Sequence, residues 1–151
     1  MSGAKVKRTE GRRNARIKTM QALYQIDVAG GDTGAIISQF LETQDMSRVD
    51  TEYFTTLFRG VCGEMDALDE ALGAHLDRPL DDLDAVERAV LRLAAWEFKT
   101  QLDVPYKVVI NESVELTKKF GAEKGHRFVN GVVDKLARDF RAMELNALGQ
   151  K

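Results

Sequence analysis

Apolar residues recur at spacings of three and four along almost the whole chain, and only two prolines, Pro79 and Pro105, interrupt them. That period is helical, and a chain with so few breakers can sustain long helices. No stretch of sustained two-residue alternation bounded by turn signals competes with it. One segment needs a decision. In "FVNGVVDKL", Asn130-Gly131 lies between apolar runs, which is a hairpin signal. Its flanks decide for a helix, because Phe128, Val132, Leu136 and Phe140 lie four apart with Val129 and Val133 beside them. Gly131 inside that helix costs about 1 kcal/mol relative to alanine. Close approach of a neighbouring backbone is the expected compensation.

The periodicity predicts six helices, over about 10–28, 33–44, 50–76, 84–99, 105–120 and 127–143. "AGGDTG" breaks the first from the second, and the third carries Gly60 and Gly63, which can bend it or admit a close neighbour. "LDRPLDDLD" is a connector with capping acids, Asp103 and Pro105 suit a helix start, and Gly121 suits a helix end. The expected fold is an all-α compact bundle. At 151 residues one domain with one core is expected. It divides into a basic flexible arm over 1–9, a helical domain over 10–146 and a short tail over 147–151.

Composition narrows the class. Hydrophobic residues make up 44% and charged residues 30%, which suits a soluble globular protein rather than a disordered one. No run approaches eighteen apolar residues, and no apolar core follows the basic N-terminus, so neither a membrane span nor a secretory signal is expected. Cys62, the single cysteine, excludes an internal disulfide and fits a reducing, cytoplasmic setting. Enzymatic constellations are scarce. His75 and His126 are the only histidines, without metal-ligand spacing, so no metal site is expected. No serine sits in a G-x-S-x-G setting, and "GGDTG" lacks the strand and the G-K-[ST] ending of a phosphate loop. A binding module is favoured over an enzyme.

The 84–99 pattern is apolar nearly all round, with a narrow polar strip of Arg88, Arg92 and Lys99. Such a helix is buried or covered by a partner. Glu87 falls among its apolar positions, on the face of Leu91, Ala94 and Phe98. It is either a first-turn acid complementing the helix dipole or a contact point for another chain.

Charge is divided unevenly. Residues 1–20 hold seven basic residues against Glu10 alone, a balance of +6, while the rest holds fifteen basic against twenty-three acidic, a balance of −8. Arg12, Arg13 and Arg16 cluster in the first turns of a helix, where cations oppose the dipole at about 0.3–1 kcal/mol each. One reading is a solubilising basic arm. The other is an anion site for nucleic-acid phosphates. A second basic set, Lys118, Lys119, Lys124, His126 and Arg127, flanks Phe120 and Phe128. Cations beside rings suit single-stranded RNA, with Phe128 the better base-facing candidate. If the first and last helices pack side by side, the two sets form one patch.

Three segments, "RRNARIKTMQALYQ", "VERAVLRLAAWEF" and "DVPYKVVINESVELTKKFGAEKGHRFVNGVVDKLAR", resemble the NusB family of bacterial transcription antitermination factors. The resemblance covers nearly the whole length and is most specific from Val86 to Arg138. It implies a fold of two packed helical bundles with six or seven helices, no catalytic activity and no cofactor. It further implies pairing with NusE, a ribosomal small-subunit protein, and binding of boxA RNA in ribosomal RNA leaders. NusA and NusG then join in making RNA polymerase resistant to terminators. Carried onto this chain, the RNA contacts are Arg12, Arg13 and Arg16, with Lys119, Lys124, His126, Arg127 and Phe128. Glu87 matches the acid facing the NusE-like partner; Tyr24 and Arg92 flank either that surface or the RNA surface and are assigned to the partner. Lys124 stands where some relatives carry an acid, and the segment "MSGAKVKRTEG" is longer than the family minimum. Some relatives self-associate, which keeps a homodimer open. Two rivals remain: a targeting domain related to ribosomal RNA methyltransferases, and a homo-oligomeric structural module.

Overall fold

The structure, a computed structural model, describes residues 7–147. Among these the chain forms eight α-helices and one 3-10 turn, and no strand. The helices are α1 (Arg8–Ala29), α2 (Thr33–Thr43), α3 (Thr51–Gly63), α4 (Met65–Gly73), α5 (Ala85–Thr100), α6 (Tyr106–Phe120), α7 (Gly125–Phe140) and α8 (Ala142–Ala147), with the turn at Leu80–Asp82. The all-α expectation holds. The chain divides into two compact units, one through Gly63 and one from Glu64. No helix among the described residues is long and apolar enough to cross a membrane.

The first unit packs α1, α2 and α3 against one another. Its centre is a run of stacked rings, Phe40 on Phe54 at 5.6 Å and Phe54 on Phe58 at 6.2 Å between centroids. Ala15, Met20 and Leu23 of α1 join that core. Gly30 and Gly31 take positive φ values of 75° and 124°, so glycine is needed to reverse the chain there. Asp32 then caps α2 by accepting from the Ala35 amide at 2.9 Å. "AGGDTG" is therefore a turn, as its missing phosphate-loop features imply.

In the second unit α5 is central. Every residue from Ala89 to Phe98 is buried, and α4, α6 and α7 pack around it. Its start is fixed by Asp84, which accepts from the Val86 and Glu87 amides at 3.1 and 3.2 Å. Its end is fixed by Arg141. This guanidinium, 4% exposed, donates to the carbonyls of Phe98, Gln101 and Val104 at 2.8, 2.9 and 2.9 Å. A longer bond of 3.3 Å reaches the Glu97 carbonyl. The last turn of a helix leaves carbonyls without intrahelical donors, and Arg141 supplies them.

The strip of cations on α5 is also engaged within the chain. Arg88 donates to the carbonyls of Leu80 and Leu83 and so shapes the 3-10 turn. Arg92 grips Asp69 through two bonds of 2.8 and 2.9 Å. Lys99 and the Trp96 indole both reach Glu64, at 2.6 and 3.1 Å.

Several boundaries differ from the periodicity. The third pattern is not one helix: Gly63 ends α3, and Glu64, at φ −125° and ψ 23°, separates it from α4. The last pattern stops at Phe140, because Arg141 leaves the helical line to reach α5, and α8 follows. The helix of the first pattern starts at Arg8, so only Lys7 of the described part of the expected arm precedes it. The remainder of that arm, residues 1–6, and residues 148–151 of the expected tail lie outside the described residues. Gly121 ends α6, without positive φ. A Cβ there would meet the Thr117 carbonyl oxygen at 2.8 Å. Gly131 has no close neighbour at all: a Cβ would meet nothing within 4 Å. The backbone approach expected to offset its helical penalty is absent.

Candidate nucleic-acid interface

In the first unit the arginines of α1 are organised by Tyr53 of α3. The Arg12 guanidinium lies 4.3 Å from the ring centroid and that of Arg16 lies 5.6 Å from it. A phenol face attracts cations, so one ring holds two like charges in fixed places. The three arginines do not stand alike. Arg13 is exposed and Arg12 partly so, whereas Arg16 is buried at 4% exposure. Arg16, expected at the surface, is buried instead. Its position follows from spacing, since i+4 from Arg12 points at the same α3 ring.

Two residues of this region were not singled out by the sequence. Tyr53 looked like one more apolar-face residue. Arg48 lay in a polar loop far from the basic run. Arg48 pairs with Glu10 at 2.6 Å, so the single acid of the first twenty residues is neutralised from another segment. The Asn14 amide donates to the Arg48 carbonyl at 2.9 Å, and the Asp50 amide to the Gly11 carbonyl at 3.0 Å. The 44–50 loop is thus tied along α1. Tyr24, expected at a partner surface, is 43% exposed on the same helix.

In the second unit the expected cations gather around the start of α7. Lys124 precedes the helix in the left-handed region, at φ 68°, which is unfavourable for a residue with a side chain. Gly125 is buried directly after it. The space that a Cβ on Gly125 would need is filled by the Glu87 carboxylate, whose Cδ would lie 3.1 Å away. Glu87 itself is 9% exposed. Burial raises its pKa, Asp84 adds to the rise, and Arg78 opposes it. So Glu87 faces inward onto the 124–125 backbone and presents only an edge.

Phe128 is half-buried, with the Arg78 guanidinium 4.9 Å from its ring centroid. With His75, Asp77, Arg127, Gly131, Val132 and Lys135 it lines a groove of about 280 Å³. Arg127 and Lys124 are exposed, and His126 is half-buried. Lys119 lies 5.6 Å from the Phe120 ring, while Lys118, rather than Lys119, pairs with Glu115, at 3.4 Å. Arg92 is 8% exposed and committed to Asp69, which leaves little of it for a partner. Among the described residues no group of three or more His, Cys, Asp or Glu is arranged to hold a metal ion. The arrangement offers fixed cations beside aromatic rings, a setting for binding polyanions.

Comparison with known proteins decides the family. The NusB family model matches residues 13–138. The chain belongs to the NusB family. Among its NusB relatives is the transcription antitermination protein NusB of Alcanivorax borkumensis, 53% identical over 133 residues, covering 88% of this chain and 89% of that protein. The protein of the same name from Teredinibacter turnerae is 53% identical over 137 residues, covering 90% and 93%. Solved NusB structures share the fold. T. maritima NusB matches with a TM-score of 0.75 at 30% identity, covering 84% of this chain and 90% of that one. A crystal structure of antitermination factors NusB and NusE in complex with dsRNA matches with a TM-score of 0.76 at 29% identity, covering 85% and 97%. The chain is thus a NusB-type transcription antitermination factor.

Proposed function

We propose that this factor binds boxA-type RNA of ribosomal RNA leader transcripts together with a NusE-type ribosomal protein, and that the assembly, with NusA and NusG, keeps RNA polymerase processive through terminators. The observation that carries the reading is the likeness to a NusB seen with NusE and RNA. The basic sets of the two units support it chemically. The mechanism is binding without bond chemistry, in the cytoplasm: cations neutralise phosphates and release counterions, and rings accept splayed bases.

Arg12 and Arg13 are the RNA contacts of the first unit, with the buried Arg16 against the same Tyr53 ring as Arg12. Lys119, Lys124, His126, Arg127 and Phe128 are those of the second. Tyr24 is the exposed partner contact. Glu87 contributes an edge to the partner while supporting the 124–125 turn.

The test is titration of labelled boxA-type RNA with the protein, with and without the NusE-type partner, across a salt series. Affinity that falls steeply with salt, and rises when the partner is added, is the expected result. Binding that is flat with salt would remove the phosphate contacts from the mechanism. Tyr24→Asp should abolish capture of the partner while RNA binding by the chain alone persists.

A further inference from the structure

Three segments of the second unit meet around one guanidinium. Arg78 belongs to the connector between α4 and α5, outside both basic sets, and its side chain is half exposed. On one side it lies 4.9 Å from the ring centroid of Phe128, in the first turn of α7. A ring face attracts a guanidinium at that range. On another side it is near enough to Glu87, in the first turn of α5, to oppose the rise that burial and Asp84 give that carboxyl's pKa. Its ion pair with Asp77, at 3.2 Å, joins sequence neighbours at the surface and holds it weakly.

The surroundings of Arg78 are fixed while its own side chain is not. Arg88 donates to the carbonyls of Leu80 and Leu83, which anchors the connector just beyond position 78. The Glu87 carboxylate is packed where a Cβ on Gly125 would lie and shows only an edge to the outside. Arg78 thus stands between an acid and a ring, and one cation cannot serve both fully. A cation brought by a partner to the open edge of Glu87 would take over its neutralisation. Arg78 would then be released toward Phe128.

We propose that Arg78 is a positioning residue that couples the two binding events: engagement of the partner at Glu87 frees it to serve RNA held beside Phe128. The proposal rests on the reading that Glu87 faces the partner and Phe128 the RNA, and it names the side chain that links them. Such coupling is reciprocal, so RNA must raise partner affinity by the same factor.

The experiment is a binding cycle with the full chain. Affinity for labelled boxA-type RNA is measured with and without the NusE-type partner, in wild type, Arg78→Gln and Arg78→Lys. Both variants should melt close to wild type, since the replaced side chain is at the surface. In Arg78→Gln, affinity for RNA alone and for partner alone should each stay within about twofold of wild type, while the gain in RNA affinity on adding partner falls from about tenfold to about twofold or less. Arg78→Lys keeps a cation facing Glu87 and should restore most of that gain. A gain in Arg78→Gln equal to that of wild type overturns the coupling and leaves the wider reading standing. An equal loss of RNA affinity with and without the partner makes Arg78 a direct RNA contact and also overturns it. If the wild-type chain binds no RNA, or gains nothing from the partner, the wider reading falls and the coupling with it.

Discussion

The Glu87 carboxylate occupies the space in which a side chain at position 125 would have to begin. This contact joins the first turn of α5 to the first turn of α7 within one unit. Gly125→Ala should therefore destabilise the protein by overpacking, by about 1–3 kcal/mol in denaturant unfolding. Shortening the other partner should relieve it: Gly125→Ala with Glu87→Ala should be closer to wild type than the two single costs added together. Strict additivity would show that the two side chains do not compete for that space.

Glu87 also sets a pH dependence. Its folded-state pKa is raised by burial, so the folded protein holds a proton more tightly there than the unfolded chain does. That contribution favours folding at low pH and is lost as pH rises from the ordinary value of 4.5 through the raised one. Glu87→Gln should remove this decline and stabilise the protein at neutral pH. Unfolding free energies of both forms across pH 4–8 measure it directly.

Glu64 behaves in the opposite sense. Hydrogen bonds from Lys99 and then from the Trp96 indole lower its pKa. Its contribution is present above the unfolded value and lost as pH falls through the lowered folded value. Since Trp96 is the only tryptophan, its fluorescence should change as Glu64 protonates, below pH 4.5, and should lose that change in Glu64→Gln.

Arg13 and Arg16 should separate binding from folding. Arg13 is exposed and Arg16 buried under Tyr53's influence. Arg13→Ala should weaken RNA binding with stability within about 0.5 kcal/mol of wild type. Arg16→Ala should lower stability by about 1–3 kcal/mol. Equal stability losses in the two variants would contradict this division.

Arg141→Met should be among the costliest single changes, about 3–5 kcal/mol, because it leaves several buried carbonyls without donors. Lysine at the same position should recover only a part, since a single ammonium cannot reproduce the guanidinium fork.

Helix periodicity alone was enough to expose the all-α class and most helix spans, because burial selects apolar residues at fixed angular intervals. It could not show where a long pattern divides. The residues from Thr51 to Gly73 keep one apolar rhythm, and at the break the Glu64 carboxylate is bound by Trp96 and Lys99, 32 and 35 residues away. Arg141 was invisible for the same reason: the carbonyls it serves lie 37 to 44 residues away. The basic sets were legible as charge, but exposure was not. Arg16 and Arg92 have the composition of surface residues and are nearly buried, because Tyr53 and Asp69 receive them. Gly131 was legible as a cost, and only the structure showed that no neighbouring side chain or backbone offsets it.

The guanidinium of Arg141 closes a helix made some forty residues earlier. During translation, the end of α5 must wait with its carbonyls hydrated until position 141 has emerged. Arg141 thus couples the closing of α5 to the arrival of the far end of α7, so the second unit reaches its final form only once both are in place.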